Sequence, residues 1–433
     1  MSYAFSIDGL RWEANWRASN GGTSYVIPFP TMRPFNIVFH GDRKFDYGHY
    51  GIHLGQEDNL TFLGSSDALI VGYFIDCRRG SPTFRKKEVV RFSPGSDRRL
   101  RIPPGVAHAF DNLQTITTIN TYVLFLPDPN KWLNEETEWN FENDVINLPM
   151  TADENTVGGF EINPHAASDV FYGLISEKQK QSLPLITHEY PFTQDFVLDD
   201  GETVRLLLRK RRPQEDIPEW TPISNIFGAG WARNYVLYSG EYSSFVPFLS
   251  HRPFYVVDHG TSPYSHDAFG IHLGQVDHLT FSGTEDSIVR IELVDCRVNS
   301  PSFKERCTFA FHPDAKKCLV IPNGVAHRFE NLQSVFTLNQ PKVFLPRAGD
   351  YQPGNDVIDW PLGQDEIPEL MVNDVEAGPE FYWQQVNAQL ELLRTPSDQS
   401  TPIVLMALDD KGNQVRVALR KREELDPKAV VST

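Results

Sequence analysis

Short runs of alternating apolar and polar residues recur along the first half of the chain. Phe35–Phe39, Leu60–Leu63, Ala68–Asp76, Glu88–Phe92, Leu100–Ile102 and Thr117–Leu126 all carry this pattern. Turn formers punctuate them at Gly64–Asp67, Arg79–Pro82, Ser93–Asp97 and Pro103–Gly105. Many short strands separated by evenly placed turns predict a sandwich or barrel. Helical periodicity enters late: Phe381, Val386, Leu390 and Leu393 predict a helix over Gly378–Arg394, with a counterpart near Ser168–Ser182. The expectation is an all-β chain with small helical appendages.

The same pattern then runs a second time. Gly51-Ile-His-Leu-Gly-Gln56 returns as Gly270-Ile-His-Leu-Gly-Gln275, and Ile102-Pro-Pro-Gly-Val-Ala-His108 as Ile321-Pro-Asn-Gly-Val-Ala-His327. Phe39–Gln114 and Asp258–Gln333 share 33 identities in 76 positions without a gap. That is duplication, and a repeat of this length means two copies of one domain. The copies are expected at 1–213 and 214–433, joined by the charged, Pro-containing stretch Arg211–Pro218. A fused pair of this kind reads as an intramolecular pseudo-dimer, which can assemble further.

Composition narrows the class. Forty basic against 57 acidic residues give a net charge of −17. Such a surface repels a phosphate backbone, so nucleic acid is not an expected partner. There is no long apolar run for a membrane span and no export signal, so a cytoplasmic protein is expected. Four cysteines in 433 residues read as ordinary thiols.

His53 and His272 are the leading candidates for chemistry. Each ends an extended Gly-Ile segment, and imidazole suits a general base near neutral pH. A buried histidine bonded to a backbone carbonyl is the bland reading. His108 and His327 follow a Pro-x-Gly turn that aims the next strand across a barrel mouth. Their spacing matches the second metal motif of cupins, and a trio of His53, Glu57 and His108 can be drawn. Copy two has Val276 in place of Glu57, so no metal is assigned. Gln56 and Gln275 follow the central histidines. Asp76 with Arg78, and Asp295 with Arg297, would orient the base or grip a polar ligand, or else form a rim salt bridge. Arg33 and Arg252 would contact an anionic ligand, with surface pairing as the alternative. His40, His259, Tyr47, Tyr50 and Tyr264 would shape a pocket.

These motifs together resemble the dTDP-4-dehydrorhamnose 3,5-epimerase family. The matching pieces are Gly51-Ile-His-Leu, Asp76-Cys-Arg-Arg-Gly-Ser-Pro-Thr-Phe84 and Ile102–Phe110, with their second copies at Gly270, Asp295–Phe303 and Ile321–Phe329. The resemblance implies two tandem RmlC-like cupin jelly-roll barrels. It implies a metal-independent isomerase without cofactors, acting on a nucleotide-linked keto-deoxy sugar. His53 and His272 would be the bases, and His108 and His327 would line the pocket. The family's arginine before the base is replaced here by Tyr50-Gly51-Ile52 and Phe269-Gly270-Ile271. Its acidic partner would follow Trp139-Asn140, where Phe141 stands, and has no evident counterpart at Tyr351-Gln352-Pro353. Its tyrosine acid is missing at Leu126–Pro129 and Leu345–Arg347. A single proton transfer is therefore expected rather than a double inversion. A non-catalytic sugar-binding module and a metal-dependent cupin enzyme are the rival readings.

Overall fold

β-branched and aromatic residues at alternate positions give strands that each bury one face, and two such sheets must close on each other. The computed structural model describes residues 4–19, 24–128, 145–183, 187–198, 201–213, 218–223, 225–238, 243–284, 286–348, 356–394, 403–408 and 414–419. The expected Trp139–Phe141 and Tyr351–Pro353 segments, and part of the Arg211–Pro218 joint, lie outside these residues.

The chain divides into two compact units. One comprises Met1–Asn15, Arg33–Asp216 and Tyr235–Ser250. Its larger sheet runs Arg11–Ala14, Arg98–Ile102, Gln56–Leu63, Thr117–Asn120, Phe35–Phe39, Ser244–Phe248 and Leu237–Tyr238. The smaller runs Val145–Pro149, His49–His53, Val106–Asp111, Ile70–Asp76 and Lys87–Phe92. Phe62, Leu100 and Ile102 from the first sheet meet Phe74, Val90 and Phe110 from the second in one core. The strands within these two sheets pair antiparallel.

The other unit comprises Trp16–Met32, Ile217–Asn234 and His251–Thr433. It repeats the plan, with Gln275–Ser282 central in the large sheet and Ala268–His272 between Val325–Glu330 and Val357–Pro361 in the small one. The expected contiguous domains, 1–213 and 214–433, thus differ from these units by more than the boundary. Ser244–Phe248 pairs with Phe35–Phe39, and Phe248 stacks on Phe35 at 4.7 Å. The equivalent Tyr25–Phe29 pairs with Phe254–Asp258, and Phe29 stacks on Phe254 at 4.6 Å. Duplicated strands carry the same pairing pattern, so either copy's strand satisfies either edge.

The predicted helices are present as Asp169–Ser182 and Pro379–Arg394. Ser168 caps the first by accepting from the Phe171 N–H. Each helix plugs in by a tyrosine hydroxyl that accepts a strand N–H: Leu124 to Tyr172 at 2.7 Å, and Val343 to Tyr382 at 2.9 Å. No helix among the described residues is long and apolar enough to cross a membrane. The four cysteines are free, and burial pushes the Cys77 and Cys296 thiols up to about 11.

Candidate functional site

The strands His49–His53, Gln56–Leu63 and Val106–Asp111 bring His53, Asp58 and His108 together at a cavity of ≈ 990 Å³. The Pro-x-Gly turn sets the last of these. Gly105 has φ +79, and a Cβ there would meet Arg78 Cγ at 2.5 Å, so only glycine suits both the backbone and the space. His108 places Nδ1 3.1 Å from the Val106 carbonyl and turns Nε2 to Asp58 Oδ2 at 3.2 Å. His53 Nε2 lies 3.7 Å from the same oxygen. Asp58 is buried, and its other oxygen accepts from Gln56 at 2.6 Å and Asn120 at 2.7 Å.

The second unit repeats this around a cavity of ≈ 520 Å³. His327 Nδ1 lies 3.2 Å from the Val325 carbonyl, and its Nε2 is 3.5 Å from Asp277 Oδ2. His272 Nε2 lies 3.8 Å from that oxygen, and Gln275 Nε2 is 3.3 Å from the same imidazole nitrogen. Burial alone would raise the Asp277 carboxyl; the two imidazoles, Asn339 and Gln275 outweigh it and hold it below the usual range. Burial pushes the His327 and His108 imidazoles down, against the pull of the aspartates.

Asp356 is the carboxylate that linear reading missed. It opens the strand edge Val357–Pro361, whose register sets Val357 opposite His272. Its Oδ2 lies 3.9 Å from His272 Nδ1 and accepts from the Gly274 N–H at 3.0 Å. Copy two thus brings near the imidazole a carboxylate that the sequence reading did not assign; the Asp-Val-Ile stretch before Trp360-Pro361 carried the signal. Phenols also reach the cavities, from segments upstream of the expected place. Tyr47 lines the first, where burial pushes it up to about 12, and Tyr255 and Tyr264 line the second.

Several expected residues lie elsewhere. Glu57 turns away from the cavity and pairs with Arg101 at 2.6 Å, so the His53, Glu57, His108 trio is replaced by His53, Asp58 and His108. Asp76 does not share a ligand face with Arg78. The strand ends at Asp76, whose buried carboxylate accepts from Arg78, Ser81 and Thr83. Asp295 does the same with Arg297, Ser300 and Ser302. Arg33 pairs with Asp169 at 3.1 Å and lies over Tyr172, and the Arg252 guanidinium is pushed down by burial near Tyr382. None of these four arginines lines either cavity, and neither lining contains Lys or Arg among the described residues. Tyr50 packs in a core with Ile52 and Ile75.

His40 and His259 line the cavities fully buried, 3.3 and 3.1 Å from the hydroxyls of Thr118 and Thr337. Burial pushes both imidazoles down to about 3. The unfolded chain therefore binds more protons between pH 6.5 and 3. Stability is fully present above pH 6.5 and falls as the pH drops below it, by about 1.4 kcal/mol per pH unit for each group. Denaturant unfolding at pH 5 should show each histidine costing roughly 2 kcal/mol relative to pH 7. A His40→Asn variant with an undiminished pH slope would refute this.

Residues 50–137 match the family model of dTDP-4-dehydrorhamnose 3,5-epimerase. No curated protein sequence matches the chain. Among solved structures, the chain is similar to a 3'-monoepimerase from Streptomyces bikiniensis in complex with dTDP-quinovose. The identity is 18%, covering 36% of this chain and 86% of that one, with a TM-score of 0.22. It is similar to an epimerase of Mycobacterium tuberculosis at 15% identity, over 39% of this chain and 82% of that one, with a TM-score of 0.25. An oxalate decarboxylase from Lactobacillus farciminis matches 78% of this chain and 87% of its own, at 11% identity and a TM-score of 0.21. Scores this low carry no argument about function. The family-model match thus covers residues 50–137 of the chain, and the internal repeat carries the same motifs a second time from Gly270 to Phe329.

Proposed function

We propose that the chain is an isomerase that moves a proton next to a carbonyl, with His272, and His53 in the other barrel, as general base. The observation that carries this is the placement of His272. The Asp356 carboxylate, anchored by the Gly274 N–H, lies 3.9 Å from its Nδ1, close enough to pair with it on a small closure, while the ring lines the cavity with His327. Asp356 would hold the imidazole in the Nδ1–H tautomer and stabilise the imidazolium formed on proton abstraction. Gln275 is a donor beside the reacting nitrogen. Tyr255, bonded to Asn339 at 2.6 Å, is the phenol placed to return a proton. One base and one acid suffice for a single transfer. The family match supports a nucleotide-linked 4-keto-6-deoxy sugar as substrate. Its diphosphate would be held outside the cavity, whose lining carries no cation among the described residues.

Proton NMR of dTDP-4-keto-6-deoxyglucose with the chain in D₂O tests this. Loss of the signal at one carbon beside the ketone is expected. Bound sugar with no exchange at either carbon would leave a binding module instead.

A further inference from the structure

The two cavities share their inner wall and differ at the mouth. The paired imidazoles, the aspartate and the asparagine beside them are common to both. At the mouth of the smaller cavity, Asp267 precedes the strand Ala268–His272, and Asp359 lies opposite Gly270 across the neighbouring strand. The same places in the larger cavity hold Gly48 and Asn147, the latter opposite Gly51. Asp267 and Asp359 are exposed, and neither makes a salt bridge among the described residues. No Lys or Arg among the described residues lines either cavity. The smaller mouth therefore carries two uncompensated negative charges that the larger lacks. The larger cavity in turn has Phe245, paired with Val38, where the smaller has Val26, paired with Val257. It holds ≈ 990 Å³ against ≈ 520 Å³.

We propose that the two barrels divide their substrates by charge. The larger takes the nucleotide-linked keto sugar, and Asp267 and Asp359 bar the diphosphate from the smaller, which takes a keto sugar bearing no phosphate. This rests on the proton chemistry proposed above for both barrels. A diphosphate held outside the smaller cavity meets both carboxylates, and each of its phosphates carries a negative charge. A carboxylate and a phosphate about 8 Å apart in water repel by roughly RT, so four such pairs weaken binding about 10–30-fold at low ionic strength. At physiological salt the Debye length is itself about 8 Å, and the penalty shrinks to about 3–4-fold. An uncharged sugar meets no such barrier, because exposed carboxylates accept hydrogen bonds from its hydroxyls. In the larger cavity, Phe245 offers a nucleobase an aromatic face, and the added volume gives it room.

The test exchanges the two mouths and titrates the full chain with dTDP by calorimetry at low and at physiological ionic strength. One tight dTDP per chain is expected for the wild type. Gly48→Asp/Asn147→Asp copies the acidic mouth into the larger cavity; a Cβ at Gly48 meets nothing within 4 Å, so the side chain has room. It should weaken that site about tenfold at low ionic strength and less at physiological salt. Asp267→Asn/Asp359→Asn removes charge without changing shape and should make a second dTDP measurable. In the His53→Gln background only the smaller barrel keeps its base. There the same aspartate pair should lower KM for dTDP-4-keto-6-deoxyglucose about tenfold and leave kcat little changed. Two equal dTDP sites in the wild type overturn the proposal, as does an absence of dTDP binding, or affinities that both exchanges leave unmoved. A chain that divides dTDP in this way but exchanges no sugar proton keeps the charge division and loses the proposed reaction. A chain that exchanges protons of the nucleotide-linked sugar, with the loss falling on His272→Gln, keeps the reaction and loses the division.

Discussion

The double variant His53→Gln/His272→Gln is expected to exchange substrate protons about 10²–10⁴-fold more slowly than the wild type, the usual contribution of one positioned acid–base group. Glutamine fills similar space and keeps a hydrogen-bonding end, but it cannot take a proton at neutral pH. The single variants divide the activity between the barrels. His272→Gln silences the unit in which Asp356 backs the base, and His53→Gln silences the other. Asp356→Asn, made in the His53→Gln background, separates positioning from packing. It should lower kcat with little change in KM, because the carboxylate lies 3.9 Å behind the base. A double histidine variant that folds normally and exchanges at the wild-type rate would eliminate both bases.

The second large effect is structural. Asp76→Ala is expected to destabilise the fold by about 3–5 kcal/mol, the range for breaking a buried ion pair from one side. The Asp76 carboxylate is wholly buried and gathers the Arg78 guanidinium and backbone N–H together with the hydroxyls of Ser81 and Thr83. Its removal strands the Arg78 guanidinium, whose side chain is only 12% exposed. Asp295→Ala should behave alike, since Arg297, Ser300 and Ser302 surround it in the same way. Arg78→Lys should also destabilise, because an ammonium cannot make the paired contact to both Asp76 oxygens. Lys44→Ala, at the exposed end of the Lys44–Asp46 pair, should leave the urea midpoint unmoved. An Asp76→Ala chain with a wild-type midpoint would show that this corner is dispensable.

The arginines that the motifs suggested do not line the cavities. Arg78 and Arg297 staple a loop to a strand end, and Arg33 rests on Tyr172 of a helix. What the cavities present instead are imidazoles, amides, phenols and carboxylates. They have also diverged: the smaller one has Asp267 and Asp359 where the larger has Gly48 and Asn147, and the larger adds Phe245 and Pro247.

The β-class, the duplication, the two helices and the two histidine pairs are legible in the chain before it folds. Each of these is written locally, as period-two alternation, as self-identity, as helical spacing, or as a Pro-x-Gly turn whose glycine must adopt φ +79. The sequence did not determine which carboxylate joins the histidines. Glu57 and Asp58 are neighbours on one strand and point to opposite faces, and only the closed barrel makes one face a cavity and the other a partner for Arg101. Nor did it determine that Asp356 reaches His272, which depends on the register between two strands some eighty residues apart. The exchange of Tyr25–Phe29 and Ser244–Phe248 between the units was decided by tertiary structure alone. Equivalent strands of a duplicated chain offer the same residues to the same edges, and the choice between them lies in the path of the whole chain.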